Sequence, residues 1–210
     1  MTRAWLAPVI AYLLGSIPIG YIMARLARGV DIRHEGSGNI GATNVARVMG
    51  TWPGLLVLLL DALKGALAAG VVPAWLDGPL GVLTPFQVRL VCGVAAVVGH
   101  IAPCFLRFQG GKGVATALGV LLTLLPAVAG VCAAVWVLVF LWRRYVSLAS
   151  IAAAISLPFA ALLMVARADA VLFCACLAWL AVWRHQGNIR RLYLGQEPKF
   201  GERREAGRSG

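Results

Sequence analysis

Val114 to Trp142, VATALGVLLTLLPAVAGVCAAVWVLVFLW, is a run of 29 uncharged residues, and whether it crosses a membrane once or turns back decides how the whole chain is threaded. As one helix it would extend roughly 44 Å, well past the roughly 30 Å hydrocarbon core of a bilayer. Pro126 and Gly130 mark a break near its middle. Charge chooses between the two readings, because Lys and Arg collect on the cytoplasmic side of a membrane protein. With a hairpin at Pro126 the chain makes seven crossings, and 15 of its 19 Lys and Arg fall on one side, from Arg25, Arg28 and Arg33 to Arg143, Arg144 and the basic C-terminus. Only Arg3, Arg89 and Arg167 lie opposite, with Lys64 inside the membrane. A single helix would put Arg143, Arg144 and everything basic after them outside. The reading is therefore an all-α bundle of seven transmembrane helices with an outside N-terminus and a cytoplasmic C-terminus.

Composition agrees with that class. The 210 residues are 60% hydrophobic and 13% charged, with a mean hydropathy of +0.84, outside the range of a soluble globular domain. Spans are predicted near Ala4–Leu26, Trp52–Trp75, Phe86–Ala102, the two halves of Val114–Trp142, Val146–Val165 and Ala168–Trp183. The first is read as an uncleaved helix loosened at Pro18. Residues 1–194 form one domain in this reading, and 195–210 form a polar, basic, disordered tail. The net charge of +11 is spread one or two residues per loop, so it reads as topology signal and anion ligand rather than as a nucleic-acid patch. The five cysteines show no CxxC pair and no metal spacing, and neither disulfide nor metal is expected. Asp61 and Lys64 stand three residues apart within an apolar run. On a helix they share a face, and the simplest reading is a buried ion pair that locks packing.

The polar sequence is concentrated at one surface. Gly99 to Thr116, GHIAPCFLRFQGGKGVAT, links two predicted spans and carries His100, then Gly110, Gly111, Lys112 and Gly113, then Thr116 at the start of the next helix. Three glycines around one lysine let backbone N–H groups crowd an anion, and the following helix start adds its positive end. On the same side lie Gly36, Ser37, Gly38, Asn39, Gly41, Thr43 and Asn44 with Arg47 one turn on, the stretch His185–Asn188 with Arg190 and Arg191, and Ser147 and Ser150 opening another span. Ser37 reads as a nucleophile, a phosphate ligand or a turn residue. His185 and Asn188 share a face if their helix continues, although a histidine at a helix end is also a common interfacial cap. Cations, glycines and hydroxyls are plentiful here and acids are scarce. A metal-dependent phosphotransferase would need clustered carboxylates, and a transporter would need polar residues at depth beyond Asp61 and Lys64. The pattern points to an enzyme that holds two phosphates directly, one on a small molecule and one on a lipid.

Taken together, GSGNIGATNVAR, DALKG, GHIAPCFLRFQGGKGVAT, RYVSLAS and HQGNIRRLYLGQE, in this order, closely resemble the bacterial membrane acyl-phosphate:glycerol-3-phosphate acyltransferase family, PlsY. The resemblance covers nearly the whole chain short of the tail. It implies transfer of a fatty acyl group from acyl phosphate to the 1-hydroxyl of sn-glycerol 3-phosphate, giving lysophosphatidic acid and phosphate, the first step of phospholipid synthesis. It implies no cofactor, no obligatory protein partner, and a bacterial inner-membrane location with the site facing the cytoplasm. By matching position, Ser37 with Asn39 and the adjacent glycines would hold acyl phosphate, and Arg47, Lys112, Ser150, His185 and Asn188 would hold glycerol 3-phosphate. No histidine here is followed five positions later by Asp, since those positions after His34, His100 and His185 are Asn39, Phe105 and Arg190. Direct transfer with a substrate phosphate taking the proton is therefore expected, without an acyl-enzyme on Ser37.

Overall fold

The computed structural model describes residues 5–76 and 81–201, and in them every regular element is helical. Ten α-helices follow in order: α1 Leu6–Ser16, α2 Ile19–Arg28, α3 Ala42–Met49, α4 Thr51–Trp75, α5 Pro85–Ile101, α6 Val114–Leu124, α7 Pro126–Arg143, α8 Val146–Met164, α9 Ala168–Arg184 and α10 Gln186–Tyr193. The expected loosening at Pro18 is a complete break between α1 and α2, because proline has no N–H to donate. The break frees the Ile17 carbonyl, which accepts a hydrogen bond from Lys64 Nζ at 2.8 Å. At the other surface Thr84 and Gln87 cap α5 reciprocally, with Pro85 at its first position.

Glycine decides how closely the helices approach. A β-carbon on Gly15 would strike the Ala96 carbonyl, one on Gly65 the Thr116 carbonyl, and one on Gly119 the Ala62 carbonyl, so α1 lies against α5 and α4 against α6 at backbone distance. In a bilayer this is how helices gain packing, since lipid already satisfies apolar surface. The same logic explains why Leu55, Leu59 and Leu63 on α4 and Leu138, Leu141 and Trp142 on α7 are exposed. Helices α5, α6, α7, α8 and α9 share a second, larger core around Val120, Leu121, Val128, Phe173 and Leu177.

The hairpin at Pro126 is present, but its first arm is short. Five helical segments have span length and hydropathy, and α9 with α10 adds a pair bent by 58°. By contrast α6 has 11 residues, about 16 Å, roughly half of the hydrocarbon core. Against the seven full crossings expected from charge, the described residues hold five segments of span length, a sixth if the bent α9–α10 pair is one span, and the half-length α6. The two ends of the hairpin nonetheless meet. Lys112, just before α6, bonds to Asn188, Asn188 bonds to Glu197, and Phe200 is tied to Arg144 at the end of α7. The start of α6 and the end of α7 therefore share one end of the bundle.

The chain after α10 also differs from the expected free tail. Phe200 N donates to the Arg144 carbonyl at 2.8 Å, its ring meets Phe140 edge-on, and Glu197 pairs with Arg191. Residues 195–201 form a strap across the end of the bundle, because Glu197 finds cations and Phe200 an aromatic partner there. The rest of the predicted tail, with Arg203, Arg204 and Arg208, lies outside the described residues, as do Arg3 and most of the connection before Gly81.

Candidate active site

The first polar loop is wound around one amide. Asp31 accepts two hydrogen bonds from the Arg33 guanidinium, at 3.0 and 2.7 Å, and that partner holds its carboxyl well below the usual carboxylate range. Beyond a 3₁₀ turn at Ile32–His34, the backbone curls over Asn44. Asn44 Nδ2 donates to the carbonyls of Ile32, Glu35 and Asn39 at 3.2, 2.9 and 2.9 Å, and Oδ1 accepts from Ser37 N at 2.7 Å. Gly36 and Gly38 take φ of +60° and +71°, and a β-carbon on Gly36 would collide with Asn44 Oδ1. Asn39 Oδ1 accepts from Gly41 N at 2.8 Å, and Thr43 is half-buried in the first turn of α3. Ser37 is left exposed on the rim. Ile32, Ile40 and Val45 beneath this loop pack with Leu106 from the second polar segment, which joins the two.

The second loop rests on His100. Gly111 N donates to the His100 carbonyl at 3.0 Å, while the Gly110 and Gly111 carbonyls accept from Arg184 Nη2 and Nε at 3.3 and 3.2 Å. Close approach explains the glycines: a β-carbon would meet the His100 carbonyl oxygen from Gly110 and the His100 ring from Gly111. Gly113 enters α6 with φ +78°. Lys112 Nζ donates to Asn188 Oδ1 at 2.5 Å. Burial lowers the Lys112 pKa to about 8; Glu197 pulls it back up, and Arg191, Arg184 and Arg47 push it further down.

The third segment bends at His185, between α9 and α10. His185 is buried, with Nδ1 2.7 Å from the Ala181 carbonyl. That contact assigns the proton to Nδ1 in the neutral ring and leaves Nε2 as an acceptor. Burial first, then the Lys112 charge, lowers its pKa to about 4, so the ring is neutral at physiological pH. Asn188 relays between two charges, because its Nδ2 donates to Glu197 Oε1 at 2.6 Å and its Oδ1 faces Lys112. Glu197 also accepts from Arg191 Nε at 2.7 Å. Burial alone would raise the Glu197 carboxyl, but the nearby Ser147 hydroxyl and the hydrogen bonds from Asn188 and Arg191 overcome it and hold the group below its ordinary value.

Among the residues expected to bind substrate, Lys112, Ser147, His185 and Asn188 converge, with Arg47 near enough to act on the Lys112 charge. Three others are engaged in the fold. Asn44 spends its amide on its own loop; the Ser150 hydroxyl donates to the Val146 carbonyl at 2.8 Å and accepts from Trp136 Nε1 at 3.1 Å; His100 turns inward, 3.4 Å from Asp61 Oδ1. Their sequence positions beside the motifs hid this, because a side chain's partner on another helix leaves no local trace. Thr116 is fully buried where α6 crosses α4. Arg184 is a site member that motif reading passed over, although it adjoins His185; Arg191, grouped with His185 and Asn188 in the sequence, and Glu197, the last residue of that motif, meet each other at the site. Among the described residues no group of three or more His, Cys, Asp or Glu stands close enough to hold a metal ion.

Comparison with known proteins is unambiguous. The family described as glycerol-3-phosphate acyltransferase matches residues 5–195. A glycerol-3-phosphate acyltransferase of Desulforudis audaxviator is 47% identical over 195 residues, covering 93% of this chain and 94% of the relative. Another, from Aquifex aeolicus, is 46% identical and covers 94% and 100%. A crystal structure of PlsY (YgiH), an integral membrane glycerol 3-phosphate acyltransferase in its glycerol 3-phosphate form, superposes with a TM-score of 0.86 at 43% identity, covering 94% of this chain and 96% of that one. The lysophosphatidic acid form of PlsY gives 0.83.

Proposed function

The chain belongs to the glycerol-3-phosphate acyltransferase family, and we propose that it moves a fatty acyl group from acyl phosphate to the 1-hydroxyl of sn-glycerol 3-phosphate, releasing lysophosphatidic acid and phosphate. The solved relatives contain glycerol 3-phosphate and lysophosphatidic acid, which match the acceptor and the product of this reaction. The observation that carries the reading is the charge balance around Lys112. Arg184 holds the backbone on its loop, Arg191 and Asn188 share Glu197 beside it, the charges of Arg191, Arg184 and Arg47 act on it against that of Glu197, and the whole cluster lies at the end of an apolar bundle. Such a site has a surplus of positive charge for a phosphate dianion and a lipid-facing flank for an acyl chain.

In the proposed division of labour, Lys112 and Arg47 bind the acceptor phosphate, Asn188 fixes the Lys112 ammonium, and the Gly36–Gly41 loop with Ser37 holds the donor phosphate. The 1-hydroxyl oxygen attacks the acyl carbonyl carbon, the bond from that carbon to the bridging oxygen breaks, and phosphate leaves with that oxygen. The hydroxyl proton passes to a substrate phosphate oxygen, whose second pKa lies near 6. His185, with its pKa near 4, is the weaker base; its neutral Nε2 suits accepting a hydrogen bond from an acceptor hydroxyl and so orienting it.

The direct test mixes purified protein with labelled glycerol 3-phosphate and, in parallel, acyl phosphate, acyl-CoA or acyl-carrier protein. Label should enter lysophosphatidic acid only with acyl phosphate; thioester-dependent turnover without acyl-phosphate turnover would overturn the donor. The proposed orientation puts this end of the bundle in the cytoplasm of a bacterial inner membrane, supported by the charge asymmetry. Single cysteines replacing exposed Val82 and Gln109 in a cysteine-free background should label from opposite sides of sealed vesicles; same-side labelling would invert the threading.

A further inference from the structure

Beneath the Gly110–Gly113 loop lies a charged cluster that the proposed chemistry does not use. Asp61, Lys64 and His100 are 2%, 4% and 4% exposed. One carboxylate oxygen, Asp61 Oδ1, faces both Lys64 Nζ at 2.8 Å and His100 Nδ1 at 3.4 Å. Lys64 also holds the Ile17 carbonyl freed by the break before α2. Three helical segments thus meet at one carboxylate. A buried pair that only fills space can be exchanged for apolar residues at little cost. Here the third member leads elsewhere: the other edge of the His100 ring, with Nε2, is where a Gly111 β-carbon would fall, and its backbone carbonyl holds Gly111 N.

We infer that Asp61, Lys64 and His100 form a buried positioning relay for the lysine loop, in which Asp61 orients the His100 ring, the ring and its carbonyl form the floor under Gly111, and Lys64 neutralises Asp61 while anchoring it to the α1–α2 break. The relay rests on the reading of Lys112 as the acceptor-phosphate ligand. None of its side chains touches substrate; they set the height at which Lys112 is presented. His100 Nδ1 lies 3.4 Å from Asp61 Oδ1 without the alignment of a hydrogen bond, so the carboxylate acts on the ring as a charge held against it, and the ring is placed by a neighbour on another helix rather than by its own loop.

The test compares Asp61→Asn and the double variant Asp61→Asn/Lys64→Met with wild type, full-length in micelles, for acceptor KM, donor KM, kcat and unfolding temperature. Misplacing a binding loop by about an ångström costs roughly ten- to a hundredfold. Asp61→Asn should raise KM for glycerol 3-phosphate by that factor, leave KM for acyl phosphate within about twofold, and lower the unfolding temperature through the stranded Lys64. The double variant removes the stranded charge, so it should regain the unfolding temperature but keep the raised acceptor KM. If it regains both, the cluster only locks helices and the relay is wrong; if Asp61→Asn does not fold, the double variant alone decides. Wild-type protein inactive with acyl phosphate would instead fail the reaction proposed above, whereas active wild type with an unchanged acceptor KM in the variants would overturn the relay alone.

Discussion

The Gly36–Gly41 and Gly110–Gly113 loops look alike as sequence, each a run of glycines around a functional side chain, yet they use glycine for different reasons. In the first, Gly36 and Gly38 supply left-handed backbone so that the chain can curl around Asn44, and the loop is exposed. In the second, Gly110 and Gly111 supply the absence of a β-carbon so that the chain can lie on His100, and the loop is fastened below by His100 and from the side by Arg184. One loop is organised by a residue within its own motif. The other is organised by helices α4, α5 and α9. A local change should therefore damage the first loop, and a distant one the second.

The largest effect should come from Lys112→Ala, which removes the charge that the second loop is built to present. A lost charged hydrogen bond costs about 1.5 to 3 kcal/mol, or roughly ten- to a hundredfold in kcat/KM for glycerol 3-phosphate. Lys112→Arg should recover only part, since a planar fork needs space that Gly111 and Gly113 do not leave. The pH dependence follows in sign. The Lys112 pKa is depressed to about 8, so the charge is present below that value and disappears above it; acceptor KM should climb as pH rises through about 8, and the Arg variant should move that limb upward. A flat profile from pH 7 to 9.5 would detach Lys112 from the acceptor.

Next comes a pair of glycine substitutions that tests the second use. Gly111→Ala places a methyl in the His100 ring and should raise acceptor KM at least tenfold, by displacement of the lysine loop. Gly187→Ala, where the nearest atom to a β-carbon is Arg191 Nη1 at 3.6 Å, should leave KM nearly unchanged. Equal effects would mean that the second loop does not depend on its floor.

On the first loop the expected effects are smaller and fall on the donor. Asn44→Ala removes five hydrogen bonds, the one from Arg47 included, and should lower both the unfolding temperature and the rate, whereas Ser37→Ala should impair turnover while leaving the unfolding temperature unchanged, because Ser37 is exposed. Quenched samples given acyl phosphate without acceptor should show no acyl adduct on Ser37 by intact mass. A stoichiometric adduct would turn the first loop from a binding loop into a nucleophile's. The smallest effect is expected from EDTA, which should leave the rate unaltered, since both loops offer cations and amides where a bound metal would need carboxylates; a reversible loss on chelation would show that the phosphates are neutralised differently.

The reach of the sequence follows the same division. Hydropathy, charge asymmetry and the break at Pro126 are properties of neighbours along the chain, and they were enough for the all-helical class, the position of most helices and the residues that belong to the family. Lys112, His185 and Asn188 were legible as a group for that reason. Only the tertiary structure decided what each polar group faces. His100 meets Asp61 from a different helix, Ser150 meets Trp136 across α7 and α8, Arg184 reaches the Gly110 and Gly111 carbonyls, and Glu197 returns from beyond α10 to Asn188. It also shortened α6, whose glycine face binds it to α4. The physical reason is that a polar group in a membrane bundle must find its partner inside the protein, and which partner stands within 3 Å depends on how helices far apart in sequence cross, which no local pattern encodes.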